Sequence, residues 1–186
     1  MEQIEEINKK FNDELLQQIE GILPKEHTYT LGIPSVILQS VEIPYLPIEL
    51  RASRLKAKAM QEVHPFDLIE IMNLPKVVQN PIAIFRSATR LGHFVIMTEL
   101  EHCKANFIVV LQIHRSKNNI KINDIRSIYP KNNLQVMQWI NETLLEYVDK
   151  EKMAKWFSKQ RSNSAEVRKL FNHAAKIIQN FENAKF

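Results

Sequence analysis

"HFVIMTELEHCKANFIVVLQIH" (93–114) decides the fold class. Its two halves, 93–100 and 106–114, are rich in β-branched and aromatic residues and read as strands. Only "EHCKA" (101–105) separates them. A parallel pair would need a crossover of a dozen or more residues, so the two must run antiparallel. Upstream, "PIAIF" (81–85) is joined by the equally short "RSATRLG" (86–92), which extends the pattern to a three-strand antiparallel meander. The unbroken apolar run 107–111 suits a central strand covered on both faces.

Helical patterns surround this centre. Ile4, Ile7, Phe11, Leu15, Ile19 and Ile22 recur at steps of three and four, the mark of an amphipathic helix that stops between Gly21 and Pro24. "YTLGIPSVILQSVEIPYLPI" (29–48) is β-rich but cut by Pro34, Pro44 and Pro47, which predicts short edge strands or an extended arm. Residues 47–64 read as a helix ending before Pro65. "FDLIEIMNLPKVV" (66–78) reads as one or two short helical turns.

Downstream, "NDIRSIYPKNN" (123–133) reads as a polar loop turning into a helix, and "NNLQVMQWINETLLEYV" (132–148) as that helix, capped by Asn132 or Asn133. Asp149 caps a further short helix, and "NSAEVRKLFNHAAKIIQNFENAKF" (163–186) closes the chain as an amphipathic one. The expectation is therefore a single α+β domain: helices packed on a small antiparallel meander, with N- and C-terminal helical extensions. Residues 1–47 form the N-terminal helix and arm, 48–160 the core and 161–186 the last helix.

The 186 residues are 45% hydrophobic and 25% charged, the balance of a chain that buries a core. One cysteine excludes an intrachain disulfide framework, and no apolar run approaches the roughly 18 residues that span a bilayer. The opening "MEQIEEINKK" lacks the pattern of a secretory signal, so a cytoplasmic location without membrane contact is expected. Three glycines argue against a glycine-rich phosphate loop. The six histidines show no metal-ligand spacing, and neither a metal nor another cofactor is expected.

The net charge of +4 permits an anionic partner. Positive charge gathers in "RASRLKAKAM" (51–60), with Arg51, Arg54, Lys56 and Lys58, and in 113–127, with His114, Arg115, Lys117, Lys121 and Arg126 against one Asp. Such charge runs are usually solvent-exposed, so each cluster reads first as a solvated face. His64, closing the basic helix before a proline, is a candidate general base or acid, or a helix-capping histidine. Cys103 falls in the hairpin turn without a patterned histidine partner, weak grounds for a nucleophile.

"FRSATR" (85–90) and "IRSIYPK" (125–131) join a guanidinium to hydroxyls. Arg grips two phosphate oxygens in a fork while Ser, Thr and Tyr each donate one hydrogen bond. Turn chemistry, with hydroxyls bonding nearby amides, explains them equally well.

Together, "VHPFDLIEIMNLPKVVQNPIAIFRS" (63–87), "FIVVLQIH" (107–114), "INDIRSIYPKNN" (122–133) and "WINETLLEYVDKEKMAKW" (139–156) resemble the C-terminal domains of phage MuF-type head proteins and of large polyvalent proteins on conjugative elements. Those domains are grouped with the barnase, EndoU, colicin and RelE-like (BECR) nuclease fold. The resemblance covers about residues 48–160. It implies helices on an antiparallel sheet and a metal-independent, RNA-cleaving, toxin-type activity, with RNA and a cognate immunity protein or other protein as partners. A non-catalytic module binding nucleic acid or protein is the alternative.

By residue, the resemblance implies a catalytic set of His64, Arg86, Ser127 and Tyr129, with Tyr129 or His114 as the acid. The contacts to nucleic acid would come from Arg51, Arg54, Lys58, Ser87, Arg90, His114, Arg115, Arg126 and Lys131.

Overall fold

The computed structural model describes residues 2–160 and 164–184. Met1, 161–163 and the last two residues of the expected closing helix lie outside the described residues. The elements are α1 (Glu2–Ile19), β1 (Thr28–Thr30), α2 (Val36–Ser40), β2 (Ile48–Arg51), α3 (Ala52–Ala59), a 3-10 turn (Leu68–Ile71), α4 (Leu74–Gln79), β3 (Ala83–Arg86), β4 (His93–His102), β5 (Ala105–Lys117), β6 (Ile120–Lys131), α5 (Asn133–Asn141), β7 (Leu145–Val148), α6 (Lys150–Lys159) and α7 (Ala165–Asn180). The fold is α+β, built on one seven-stranded sheet in the order β1-β2-β6-β5-β4-β3-β7.

The expected meander is present and one strand longer. β3, β4, β5 and β6 pair antiparallel in succession. Cys103 and Lys104 at the β4–β5 turn, and Asn118 and Asn119 at the β5–β6 turn, all take positive φ. Two successive residues with positive φ are the signature of the two-residue turn whose twist matches that of the strands. β2 joins the outer edge of β6 in parallel, but only at Ile48 with Asn123 and Glu49 with Asp124.

Several local expectations are corrected. Residues 123–131 are part of β6 rather than a polar loop, because Ile122, Ile125 and Ile128 are buried against the sheet's neighbours. Residues 48–51 are strand rather than helix: Ile48 and Leu50 alternate into the core, and the helix starts only at Ala52. It also ends at Ala59, five residues short of His64, where the amide of Phe66 folds back to donate to the Ala59 carbonyl. The arm holds a helical turn, α2, capped by the Ser35 hydroxyl. The helix after Asn132 stops at Asn141; Thr143 takes φ 59°, and Leu145–Val148 then pairs with β3 as an edge strand.

Two cores lie on opposite faces of the sheet. On one, Phe11 and Leu15 of α1, Leu55 of α3 and Leu74 and Val78 of α4 bury Phe107, Val109, Leu111, Ile125 and Ile128. On the other, Val136, Met137 and Ile140 of α5, Met153 and Trp156 of α6, and Ala174 and Ile178 of α7 cover Ala83, Phe85, Met97, Leu145 and Val148. This second layer sits over β3, β4 and β7. Residues of β5 and β6 that face the same way, Val110, Ser127 and Tyr129 among them, belong to neither core and are half-buried. That part of the sheet face is left open around Val110, Ser127 and Tyr129, although Ile108 beside Tyr129 is fully buried.

Candidate nucleic-acid interface

The open part of the sheet face is read directly from register. Ser127 pairs with Val110, Tyr129 with Ile108 and Lys131 with Asn106, so Ser127, Tyr129 and Lys131, two residues apart along β6, project from the same face. A register shift between Val110 and Leu111 inserts Arg126 beside Ser127. Such a bulge turns two neighbouring side chains toward one side of the strand.

His64 arrives at this strand from the segment that follows α3. Its imidazole stacks on the Tyr129 phenol, with ring centroids 5.7 Å apart and planes 14° from parallel. Beyond Asp124, β6 has no outer strand partner among the described residues, which is why a loop from α3 can reach it. On the other side of Tyr129 stands Lys131, its Nζ 5.7 Å from the Tyr129 ring centroid and 5.3 Å from that of Trp139 on α5. Burial pushes the Tyr129 phenol up and the Lys131 ammonium down from their ordinary pKa values.

At the other end of the same strand, Asp124 is 1% exposed and meets three guanidiniums. Arg54 donates to its Oδ1 at 2.9 Å, Arg126 to its Oδ2 at 3.0 Å, and Arg115 also to Oδ2. Arg54 donates in addition to the Ile125 carbonyl, on the edge of β6 that β2 leaves unpaired. Burial alone would raise the Asp124 pKa; the hydrogen bonds from Arg126, Arg54 and Arg115 outweigh it and hold the carboxyl below its ordinary value. One carboxylate among three cations leaves a local excess of positive charge beside Ser127.

The other predicted residues are spread more widely. Arg86 lies on β3, in the row that runs through Phe94 and Leu111 to Ile125. Three inter-strand spacings, roughly 14 Å, separate β3 from β6, and Arg86 donates to Glu146 at 2.8 Å. Ser87 uses its hydroxyl as a turn acceptor for the amides of Thr89 and Arg90. Arg86, Ser87, Arg90 and His93 line a cavity of their own, about 490 Å³. His114 sits at an irregular point of β5 with φ 55°. It is six residues from the Ile108 that faces Tyr129, on the order of 20 Å along the strand.

On α3, Arg51 is the exposed N-cap, and Arg54 and Lys58, four apart, share a side of the helix. Lys58 donates to the Gln61 side chain at 3.4 Å. The structure thus brings His64 and Lys131 onto Tyr129, and gathers Arg126, Arg54 and Arg115 at Asp124 further along the same strand, with Ser127 between the two groups. It leaves Arg86, Ser87, Arg90 and His114 elsewhere.

Sequence reasoning missed Asp124 as the organiser of the arginines and Trp139 as the wall behind Lys131. The single acid within the basic run 113–127 was the available signal. Among the described residues no group of three His, Cys, Asp or Glu side chains comes together as a metal-binding cluster, and no helix is long and apolar enough to cross a membrane.

A mostly antiparallel seven-stranded sheet clad by helices on both faces defines an α+β domain. The chain belongs to the phage MuF C-terminal domain family, whose model matches residues 55–155, more than half of the 186 residues. The match begins within α3 and ends within α6, so it spans the whole open part of the sheet face. No curated protein and no solved structure matches the chain significantly.

Proposed function

We propose that this domain cleaves RNA without a metal ion, with the scissile phosphate on the open part of the sheet face at β5 and β6. The observation that carries this reading is the stack of His64 on Tyr129, which sets a titratable imidazole beside a strand bearing Arg126, Ser127 and Lys131.

In the proposed reaction His64 takes the proton from a ribose 2′ hydroxyl as its oxygen attacks phosphorus. Arg126 holds a non-bridging oxygen of the scissile phosphate, where negative charge builds in the pentavalent state, and Lys131, five residues further along β6, holds a neighbouring phosphate. Burial keeps the Tyr129 phenol protonated, so its O–H donates to the departing 5′ oxygen. The products are a 2′,3′-cyclic phosphate and a free 5′ hydroxyl. Arg86 has no part in this step.

The test is incubation of a mixed single-stranded RNA pool with purified protein in EDTA, beside His64→Ala and Arg126→Ala. Cleavage by the wild-type chain that both substitutions abolish supports the reading. Salt-sensitive binding without cleavage would replace it with a non-catalytic nucleic-acid module.

A further inference from the structure

At the β4–β5 turn, level with the Lys131 end of β6, three side chains form a relay that the RNA reading does not use. Glu70, in the 3-10 turn, accepts from the Asp67 amide through Oε2 at 2.8 Å, which fixes its carboxylate. Both Glu70 oxygens lie 2.9 Å from His102 Nδ1. A carboxylate there fixes the proton on Nδ1 and leaves Nε2 with its lone pair free. Cys103 Sγ lies 3.4 Å from that Nε2.

Cys103 is exposed, held in the hairpin turn at φ 49°, and is among the residues lining a cavity of about 760 Å³, while His102 lines a separate groove. That cavity is half apolar, with Met137 and Phe171, and half polar, with Lys104, Asn133 and Lys159. Lys159 is paired with Glu101 at 2.6 Å, which leaves Lys104 as the cation beside the sulfur without an ion pair among the described residues. The other charged groups around the imidazole are Glu70, and Lys56 and Asp67, which line a groove with His102.

We propose that Cys103 is a nucleophilic thiol that exchanges with small anionic disulfides at this exposed turn, His102 taking its proton and Glu70 positioning the imidazole. The sulfur attacks one sulfur of the incoming disulfide and its proton passes to His102 Nε2. A bond forms between Cys103 and the attacked sulfur, the disulfide bond breaks, and the other half leaves as a thiolate. Two electrons move from the protein thiol to the leaving sulfur, so no further oxidant is consumed. The lysine beside the sulfur favours a disulfide that carries negative charge.

Because the chain has a single cysteine, its reaction can be followed without removing others. The probe is 5,5′-dithiobis(2-nitrobenzoate), a dianionic disulfide, with thionitrobenzoate release as the readout. The assay runs at about pH 6.5, where a free thiol of pKa about 8.5 is roughly 1% ionised. The native chain should react at least about tenfold faster than the same chain unfolded in guanidinium. His102→Ala should remove that excess, and Glu70→Gln should reduce it and move the pH profile toward that of the unfolded chain.

Cystamine, a dicationic disulfide, should show a smaller native-over-unfolded ratio. A native thiol that reacts no faster than the unfolded one, or an excess that survives His102→Ala, overturns the relay. Equal ratios for the two probes overturn the charge selection. The native-to-unfolded comparison needs no substitution, so a variant that fails to fold leaves it intact.

Discussion

The His64 imidazole lies flat against the Tyr129 phenol, although 64 residues of chain separate them and neither belongs to the same element. The contact exists because α3 ends at Ala59 and β2 leaves the edge of β6 after Asp124. If Tyr129 contributes its hydroxyl to the reaction and its ring to holding His64, the two roles separate by substitution. Tyr129→Phe should keep RNA affinity within about twofold and lower the cleavage rate roughly 100-fold, the scale of losing one donor at the reacting phosphate. Tyr129→Ala should lower it further by freeing His64. Single-turnover rates with saturating enzyme distinguish the two.

Arg86 should be dispensable. It lies three strands from Ser127 and is engaged with Glu146. Arg86→Ala should change cleavage less than about twofold and unfolding free energy by less than about 1 kcal/mol, as expected for an exposed ion pair. Arg126→Ala should cost on the order of 100-fold in cleavage. Parallel assays of the two variants check this.

The same contrast measures how much of the site was legible in sequence. "IRSIYPK" supplied Arg126, Ser127, Tyr129 and Lys131 because strand alternation puts alternate residues on one face whether or not the segment is recognised as a strand. "FRSATR" looked equivalent, yet sits three strands away, since the order of strands in a sheet is a tertiary property that local pattern does not carry. The central strands were legible from β-branched runs and short links.

β2 and β7 were not legible, because four-residue strands have too few residues to show a period. Leu144 and Leu145 fitted a helical spacing, and only the positive φ of Thr143 ends that helix. His102 and Cys103 are adjacent in sequence, but the carboxylate that completes their relay comes from a turn 32 residues away.

Asp124 holds the basic end of the site together. Asp124→Asn would leave three guanidiniums facing one another without a counter-charge, and should lower unfolding free energy by about 3 kcal/mol. For a chain of this size that is a melting temperature lower by roughly 6–12 °C. The folded carboxyl titrates below its unfolded value of about 3.9, so its contribution is complete above that pH and is lost as pH falls through the lower folded value. Denaturant titrations across acid pH should show wild-type and Asp124→Asn stabilities converging only below about pH 4.

Lys131 is desolvated beside Tyr129 and Trp139, a position that costs the charged form. Lys131→Met should weaken RNA binding severalfold and reduce its salt dependence by about one counterion, without lowering the melting temperature. Fluorescence anisotropy over a salt series, with a thermal melt alongside, measures both.

The most direct measurement is the single-turnover cleavage of a single-stranded RNA in EDTA by the wild-type chain and by His64→Ala, with the product ends identified. His64 is exposed, so its truncation should leave stability within about 0.5 kcal/mol. The predicted result is 2′,3′-cyclic phosphate ends from the wild-type chain and a rate at least about 100-fold lower for His64→Ala. Intact RNA with the wild-type chain, or equal rates for the two proteins, would contradict a nuclease site at the His64–Tyr129 stack.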